Sequence, residues 1–462
     1  MRRLARLPLA AALLLALGAL ALTAFAALYA PHPGIPASEP PAGNLLGAAR
    51  SYLFRQALRN TLLVAALAFA LTFAGTLLRL RKVPAARRAW SAWDALAAAP
   101  LFLPAPAAAL LWRPLFDHID LANRPDLALA LVALVFAWRL WPLSFLVERM
   151  AEHASAPRAA IVTGLAALWL TLLNAGTLLL LTGGQPFNAT HVWASWAFHT
   201  VWVSRLWGHG AVMLGGLAAA GVLIAGLLHY LVTHPPGRIT PAASPAPRVR
   251  LAPYLGAALA LAPLTLHAPH LQLAAPGASL AGLMRLGYFH WLANTALVWL
   301  LAWLVAAAIA AGSLSRSRRR DRLAWTAVVV GAAAYPLWPY VATQFPGLAQ
   351  NVDSRLILAG AAGISAGLIA YGLADARQAS RYTVLCMTAL AAALLTLNQT
   401  SAQIVLEGGR RAYPLAAGMA LYLAEAPTLA GERAWSLLLT LGLAWLAAGA
   451  ALRVRHDVDQ PR

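Results

Sequence analysis

The chain has 462 residues, 61% hydrophobic and 11% charged, with a mean hydropathy of +0.67. Soluble domains carry about 25% charged residues, so this composition excludes an ordinary soluble enzyme and predicts a polytopic membrane protein. The formal net charge of +20 would suit nucleic acid, but the arginines fall in short loops between apolar runs and form no single basic face, which excludes that partner.

The N-terminus, MRRLARLPLAAALLLALGALALTAFAALYA, starts basic and ends in small residues, like a signal peptide. Its apolar stretch of about 22 residues exceeds the usual 7–15 of a signal core, so it reads as a retained anchor helix. Counting it as 7–30, apolar runs recur at roughly 58–79, 95–113, 127–147, 160–181, 210–232, 251–267, 291–312, 323–343, 356–374, 382–398 and 435–452. The fold class expected is therefore all-α, with about twelve transmembrane helices. With the N-terminus in the cytoplasm, alternation puts about 23 of the 35 basic residues on the inner side. That pattern predicts a multi-pass membrane protein with both termini cytoplasmic and anionic membrane lipids as partners.

Several runs carry residues that a purely lipid-facing helix would not. Pro104, Pro106 and Pro142 in the third and fourth runs, and Pro336 and Pro339 in the ninth, each remove a backbone hydrogen bond and loosen the helix. Arg139 is the one arginine placed well inside a run; it either marks a functional site or snorkels toward a helix end. Asn174 and Asn398 are amides in otherwise apolar spans, and Gln399, Thr400 and Gln403 extend a polar stripe after the second. Such amides make interhelical hydrogen bonds worth about 1 kcal/mol or line a translocation route. In LLLLTGGQPFNATHVWASW, Thr182, Gly183, Gly184 and Pro186 end a span with a tight reversal, and Thr190, Trp193, Trp196, Trp202 and Trp207 follow. The tryptophans suit an interfacial aromatic belt, or a docking and sugar-stacking surface beneath a soluble binding protein.

Enzyme chemistry finds little support. There is no P-loop, no His-Glu-x-x-His, no Gly-x-Ser-x-Gly and no cysteine pair, so neither an enzyme, a metal nor a cofactor is expected. Asp117, His118 and Asp120 in FDHID are read as a solvated loop, with a metal or lipid-linked glycosyl-transfer site as the alternative. His191, His199, His209, His267, His270 and His290 show no ligand spacing, and the lone Cys386 reads as a packing residue. Asn188-Ala189-Thr190 matches the glycosylation sequon, a pattern common by chance.

The chain also repeats itself. FRQALRNTLLVAALAFALTFAGTLLRL (54–80) resembles YFHWLANTALVWLLAWLVAAAIAAGSL (288–314), each placing Asn-Thr, Asn60-Thr61 and Asn294-Thr295, near the start of a long apolar helix. LLNAGTLLLLTGG (172–184) parallels TLNQTSAQIVLEGG (396–409), headed by Asn174 and Asn398. The stretch 233–250 is Pro-rich and basic, as a linker would be. The organisation predicted is a first half with the anchor helix, 1–232, a cytoplasmic linker, 233–250, and a second half, 251–462. Both halves enter from the same side, as parallel repeats do in transporters whose pathway lies at the repeat interface.

These stretches resemble the permease subunits of binding-protein-dependent ABC importers of the maltose/glycerol-3-phosphate type, with both subunits in one chain. FRQALRNTLL is similar to the family's approach to its first core helix, and LLNAGTLLLLTGGQPFNAT to its Asn-x-x-x-Leu-x-x-Leu-Thr-x-Gly-Gly-Pro-x-x-x-Thr signature, with Gln185 inserted before Pro186. APLFLPAPAAALLWRPLFD and AWRLWPLSFLV look like its proline-punctuated helices, and TLNQTSAQIVLEGGRRAYPLAAGM looks like the partner subunit's corresponding region. The resemblance covers about 45–232 and 250–453. It implies a bacterial inner membrane, a solute path, a sugar or polyol as cargo, and a periplasmic or lipid-anchored solute-binding protein as partner. The chain departs from the family where the ATPase would couple: ERMAEHASAPRAA and ADARQASR are short and lack Glu-Ala-Ala, Glu152 being at best a remnant. A cytoplasmic ATPase therefore stays open as a partner. A degenerate, non-transporting scaffold is the alternative function.

Overall fold

The computed structural model describes residues 7–29, 43–82, 91–117, 124–150, 156–182, 189–233, 252–273, 276–311, 321–345, 352–376, 381–398, 413–423 and 429–453. The chain begins with α1 (Leu7–Tyr29), α2 (Gly43–Arg50) and α3 (Tyr52–Lys82). A broken element follows: α4 (Ala92–Ala98), a 3-10 turn over Ala99–Phe102, and α5 (Ala105–Asp117). Next come α6 (Pro125–Leu140), α7 (Leu143–Met150), α8 (Ala156–Leu173), α9 (Ala175–Thr182), α10 (Trp193–Phe198) and α11 (Trp207–Thr233). The remainder holds α12 (Ala252–Leu261), α13 (Ala268–Leu273), α14 (Pro276–Leu286), α15 (Tyr288–Ala310), α16 (Asp321–Ala334) and α17 (Trp338–Thr343). It ends with α18 (Ser354–Ala376), α19 (Arg381–Asn398), α20 (Leu415–Gly418) and α21 (Ala430–Arg453). Among the described residues there is no strand, so the all-α class holds.

Among the described residues eight helices are long and apolar enough to cross a membrane: α1, α3, the α6–α7 run, α8, α11, α15, α18 and α21. The α4–α5 pair would make a ninth, bent by 95°. Four of the twelve expected runs thus fall short of a continuous span, and for most of them the reason is proline. Pro100 opens the 3-10 turn after α4, Leu103 is extended, and Pro104 follows, so 95–113 breaks in the middle. Pro263 and Pro336 open 3-10 turns inside 251–267 and 323–343 in the same way. Proline has no N–H to give the helical ladder and presets the φ that such turns use. The last of the four, 382–398, yields the 18-residue α19, whose apolar part is the shorter Thr383–Asn398.

Packing follows a regular scheme. Helix α3 packs on α6 and α8, while α15 packs on α18 and α19. The long helix α11 lies on α16, and α21 lies on α4 and its 3-10 turn. Helix α1 turns a stripe of small residues, Ala12, Ala16, Ala19, Thr23 and Ala26, inward, and packs mainly on α11 and α16. Leucines and aromatics such as Leu14, Phe25, Leu223 and Leu446 stay exposed on the outer surface, as lipid contact requires.

Small residues set how closely α15 and α18 approach, since apolar side chains gain little by leaving lipid. A Cβ added at Gly363 would stand 2.7 Å from the Ala302 carbonyl oxygen, and one at Gly367 3.0 Å from the Ala306 Cα. Gly360, on the same helix, has nothing within 4 Å of such a Cβ. Gly363→Val is therefore expected to cost about 1–3 kcal/mol by overpacking, whereas Gly360→Val should leave stability nearly unchanged. Thermal midpoints of the detergent-solubilised variants check this contrast.

Candidate functional site: a polar seam at the helix breaks

Arg139 sits in the last turn of α6 and is 1% exposed. Its Nε and Nη2 both donate to the Leu103 carbonyl oxygen, at 3.2 and 2.7 Å, and its Nη1 donates to Asn398 Oδ1 at 2.8 Å. Leu103 is the extended residue between the 3-10 turn and α5, and the proline break leaves its carbonyl outside both helices. Among the described residues no carboxylate pairs with this guanidinium. A permanently charged side chain is thus held at depth by two neutral acceptor atoms.

Asn174 and Asn398 meet at the same place. Asn174 interrupts the apolar run between α8 and α9: its Oδ1 accepts from the Thr177 N–H at 3.1 Å, which caps α9. Short polar side chains favour such local caps over a continuous helix. Its Nδ2 donates to Asn398 Oδ1 at 3.2 Å. Asn398, the last residue of α19, turns its Nδ2 back to the Leu394 carbonyl at 2.6 Å. Thr177 Oγ donates to the Ala105 carbonyl at 3.3 Å, and the buried Tyr335 hydroxyl to the Leu395 carbonyl at 2.7 Å. The seam therefore joins two of the three proline-broken elements, those at Pro104 and Pro336, to both asparagine-bearing segments. Sequence reading singles out Arg139, Asn174 and Asn398 but not Leu103 or Tyr335; a backbone carbonyl exposed by a Leu-Pro break has no side-chain signature.

A second pattern lies beside the loops. Asn60 Nδ2 donates to the Ala189 and His191 carbonyls at 2.6 and 2.8 Å, and Thr61 Oγ accepts from the Trp193 N–H at 2.7 Å. Asn294 Nδ2 donates to the Tyr413 carbonyl at 3.1 Å, and Thr295 Oγ accepts from the Leu415 N–H at 2.7 Å. Each Asn-Thr pair thus grips a carbonyl and the N–H two residues beyond it, at the start of a short helix. Both short helices run into a single π-turn, His199–Val203 and Met419–Leu423.

The rings at the two clamps differ. In the first, Trp196 stacks on His199 at 5.0 Å with planes 8° apart, and His191 lies 5.7 Å from His199. In the second, Gly418 occupies the place of Trp196, and Trp291 of α15 packs directly over it, stacked on Tyr422 at 5.6 Å.

Much of the segment expected to form an aromatic belt or a docking surface lies inside the protein. Thr182, Thr190 and Trp196 are buried, and Thr190 Oγ donates to Thr182 Oγ at 3.0 Å. Trp193 is half-buried, its indole N–H donating to the Met213 carbonyl at 2.9 Å, because the clamp draws this segment onto α3 and α11. Arg139 does not snorkel. Gly183, Gly184, Pro186, Gln399, Thr400, Gln403, His118, Asp120, Glu152 and Asn188 lie outside the described residues. Asp117 is exposed and ion-paired with Arg113 at 2.8 Å. Among the described residues no group of three or more metal-ligating side chains gathers.

Two outcomes follow. Asn60→Ala leaves the buried His191 carbonyl without this donor and the Ala189 carbonyl with only the longer bond from Gln56, and should lower stability by about 1–3 kcal/mol, whereas Gln56→Ala, which loses a 3.4 Å bond, should be near neutral. His191 lies outside the long apolar spans, and burial, reinforced by His199, lowers its pKa to about 4. A depressed folded value means stability is complete above the unfolded pKa near 6.5 and is lost as pH falls from there toward 4. Thermal midpoints measured from pH 7 to 4 should drop, and His191→Gln should flatten the profile. Compared with family models, with curated proteins and with solved structures, the chain has no match.

Proposed function

We propose that the chain is a membrane permease component of two permease-like halves, 1–232 and 251–462, that moves a small polar solute, a sugar or polyol in the first instance, along the seam between them. One observation carries this reading. Asn174 and Asn398, at matching places in the two sequence repeats, hydrogen-bond to each other. Equivalent groups of two repeats meet in this way when a pseudo-two-fold axis runs between them.

Other features support it. The Asn-Thr clamp recurs with the same two-residue spacing, and each clamped helix leads into a π-turn. Helix α11 of the first half packs on α16 of the second, which leads into the break at Pro336, and α21 of the second packs on α4 of the first and its 3-10 turn. Transporters place solute sites at such discontinuous helices, because irregular backbone survives at membrane depth only where it is buried or lines a cavity. On this reading the protein sits in a bacterial inner membrane with a solute-binding protein as its partner. The short loops without Glu-Ala-Ala leave ATPase coupling unassigned.

A non-transporting scaffold is the second reading, and one observation favours it. Arg139, Asn174 and Asn398 satisfy one another in a closed seam, and a chain that never opens needs nothing more. Uptake of labelled sugars and polyols by cells with and without the chain separates the two. The permease reading expects at least one solute to lose uptake on deletion, and Asn398→Leu to reduce that uptake at least tenfold. Unchanged uptake across the panel, with envelope enzymes copurifying and no ATPase, establishes the scaffold.

A further inference from the structure

Among the described residues the buried guanidinium of Arg139 meets no carboxylate. Three of its donor hydrogens are used on two acceptor atoms, and one of those, Asn398 Oδ1, is shared with Asn174. Both acceptors are neutral. Helix C-termini carry roughly half a negative charge each, and α8 and α19 both end at the seam. The N-terminus of α9 begins beside them and offsets part of that field. Among the described residues the arrangement holds the cation but supplies no counter-ion.

Arginine cannot shed its proton in proteins, and ionisable groups at this depth are rare and mark solute or ion pathways. Its planar fork matches a carboxylate or phosphate through two parallel bonds, a match that a single carbonyl and an amide do not offer. If the seam is a solute path, as proposed above, a neutral polyol could replace these acceptors only like for like. An anionic group would add the missing charge.

We infer that Arg139 is the specificity-determining group of the seam, and that it takes a solute bearing a carboxylate or phosphate. Docking of that group displaces Asn398 Oδ1 from the guanidinium and frees the Asn174–Asn398 bond. Recognition and unlocking are then the same exchange of partners. A solute shifts a two-state equilibrium only by its difference in affinity for the two states, and an anion supplies that difference because the closed state has no place for it.

The experiment uses the purified full chain in lipid nanodiscs, with tryptophan fluorescence and thermal midpoint as binding readouts, and matched probes: gluconate against sorbitol, and glucuronate against glucose. Wild type is expected to bind the acid of at least one pair at least tenfold more tightly than its neutral partner. Arg139→Lys should keep the preference with weaker binding, and Arg139→Gln should bind both members alike. Equal or tighter binding of the neutral member overturns the inference and leaves the permease reading standing. Protection by sodium chloride alone equal to that by the acids also overturns it, because it assigns a free-ion site. Binding of no probe, together with unchanged uptake in cells, removes the permease reading and this inference with it. Should Arg139→Gln fail to fold, the wild-type ratio and the lysine variant still decide.

Discussion

The structure depends on how one charged side chain is housed at depth. A backbone polar group or a charge in a bilayer must find its partner within the protein. Arg139 and the Leu103 carbonyl answer each other's need: the proline break exposes an acceptor, and the arginine two helices away supplies the donors. Removing either leaves the other stranded. Asn398 enters the same exchange from α19, and Asn174 enters through Asn398. A bend of 95°, an interrupted helix and the end of a third are thus held in register by a handful of bonds. Hydrophobic packing cannot do this, because lipid tails satisfy leucine as well as another helix does.

The clamps show what is held fixed and what is free to differ. In both, asparagine donates to a carbonyl and threonine accepts from the N–H two residues on, which fixes the angle at which a short helix leaves the loop. Ring chemistry around them is not held. His191 and His199 fill one site, while Tyr413, Tyr422 and an intruding Trp291 fill the other, admitted by Gly418 where Trp196 would stand. Acid therefore reaches one clamp and not the other, since phenols do not titrate in the range where imidazoles do.

The helical class, eight of the spans, and Arg139, Asn174 and Asn398 as residues out of place in apolar runs were legible in the sequence; that the two asparagines bond to each other was not. Amides in apolar runs have few places to go, which is what makes them stand out. The burial of Trp196 and Thr190 was not legible, because it comes from Asn60 and Thr61 pulling on main-chain atoms 129 to 132 residues away. Main-chain partners carry no residue code, so Leu103 leaves no trace either. The break at Asn174 was hidden by the leucines on both sides; hydropathy is blind to whether a run is continuous.

The packing of α11 on α16, and of α21 on α4, has a mechanical consequence. Proline leaves each of these two broken elements with fewer ladder hydrogen bonds to resist bending, and each is gripped by a long helix distant in sequence. Tyr335, in the break after α16, reaches the Leu395 carbonyl of α19, and Leu103, in the break after α4, reaches Asn398 through Arg139. Both breaks therefore bear on the last turn of α19. A tilt of either broken element strains the same few bonds, so neither can open alone without disturbing the other. For a seam that moves, this makes the motion concerted; for one that does not, it makes the closed arrangement stiff. The difference lies in whether something else can satisfy Arg139.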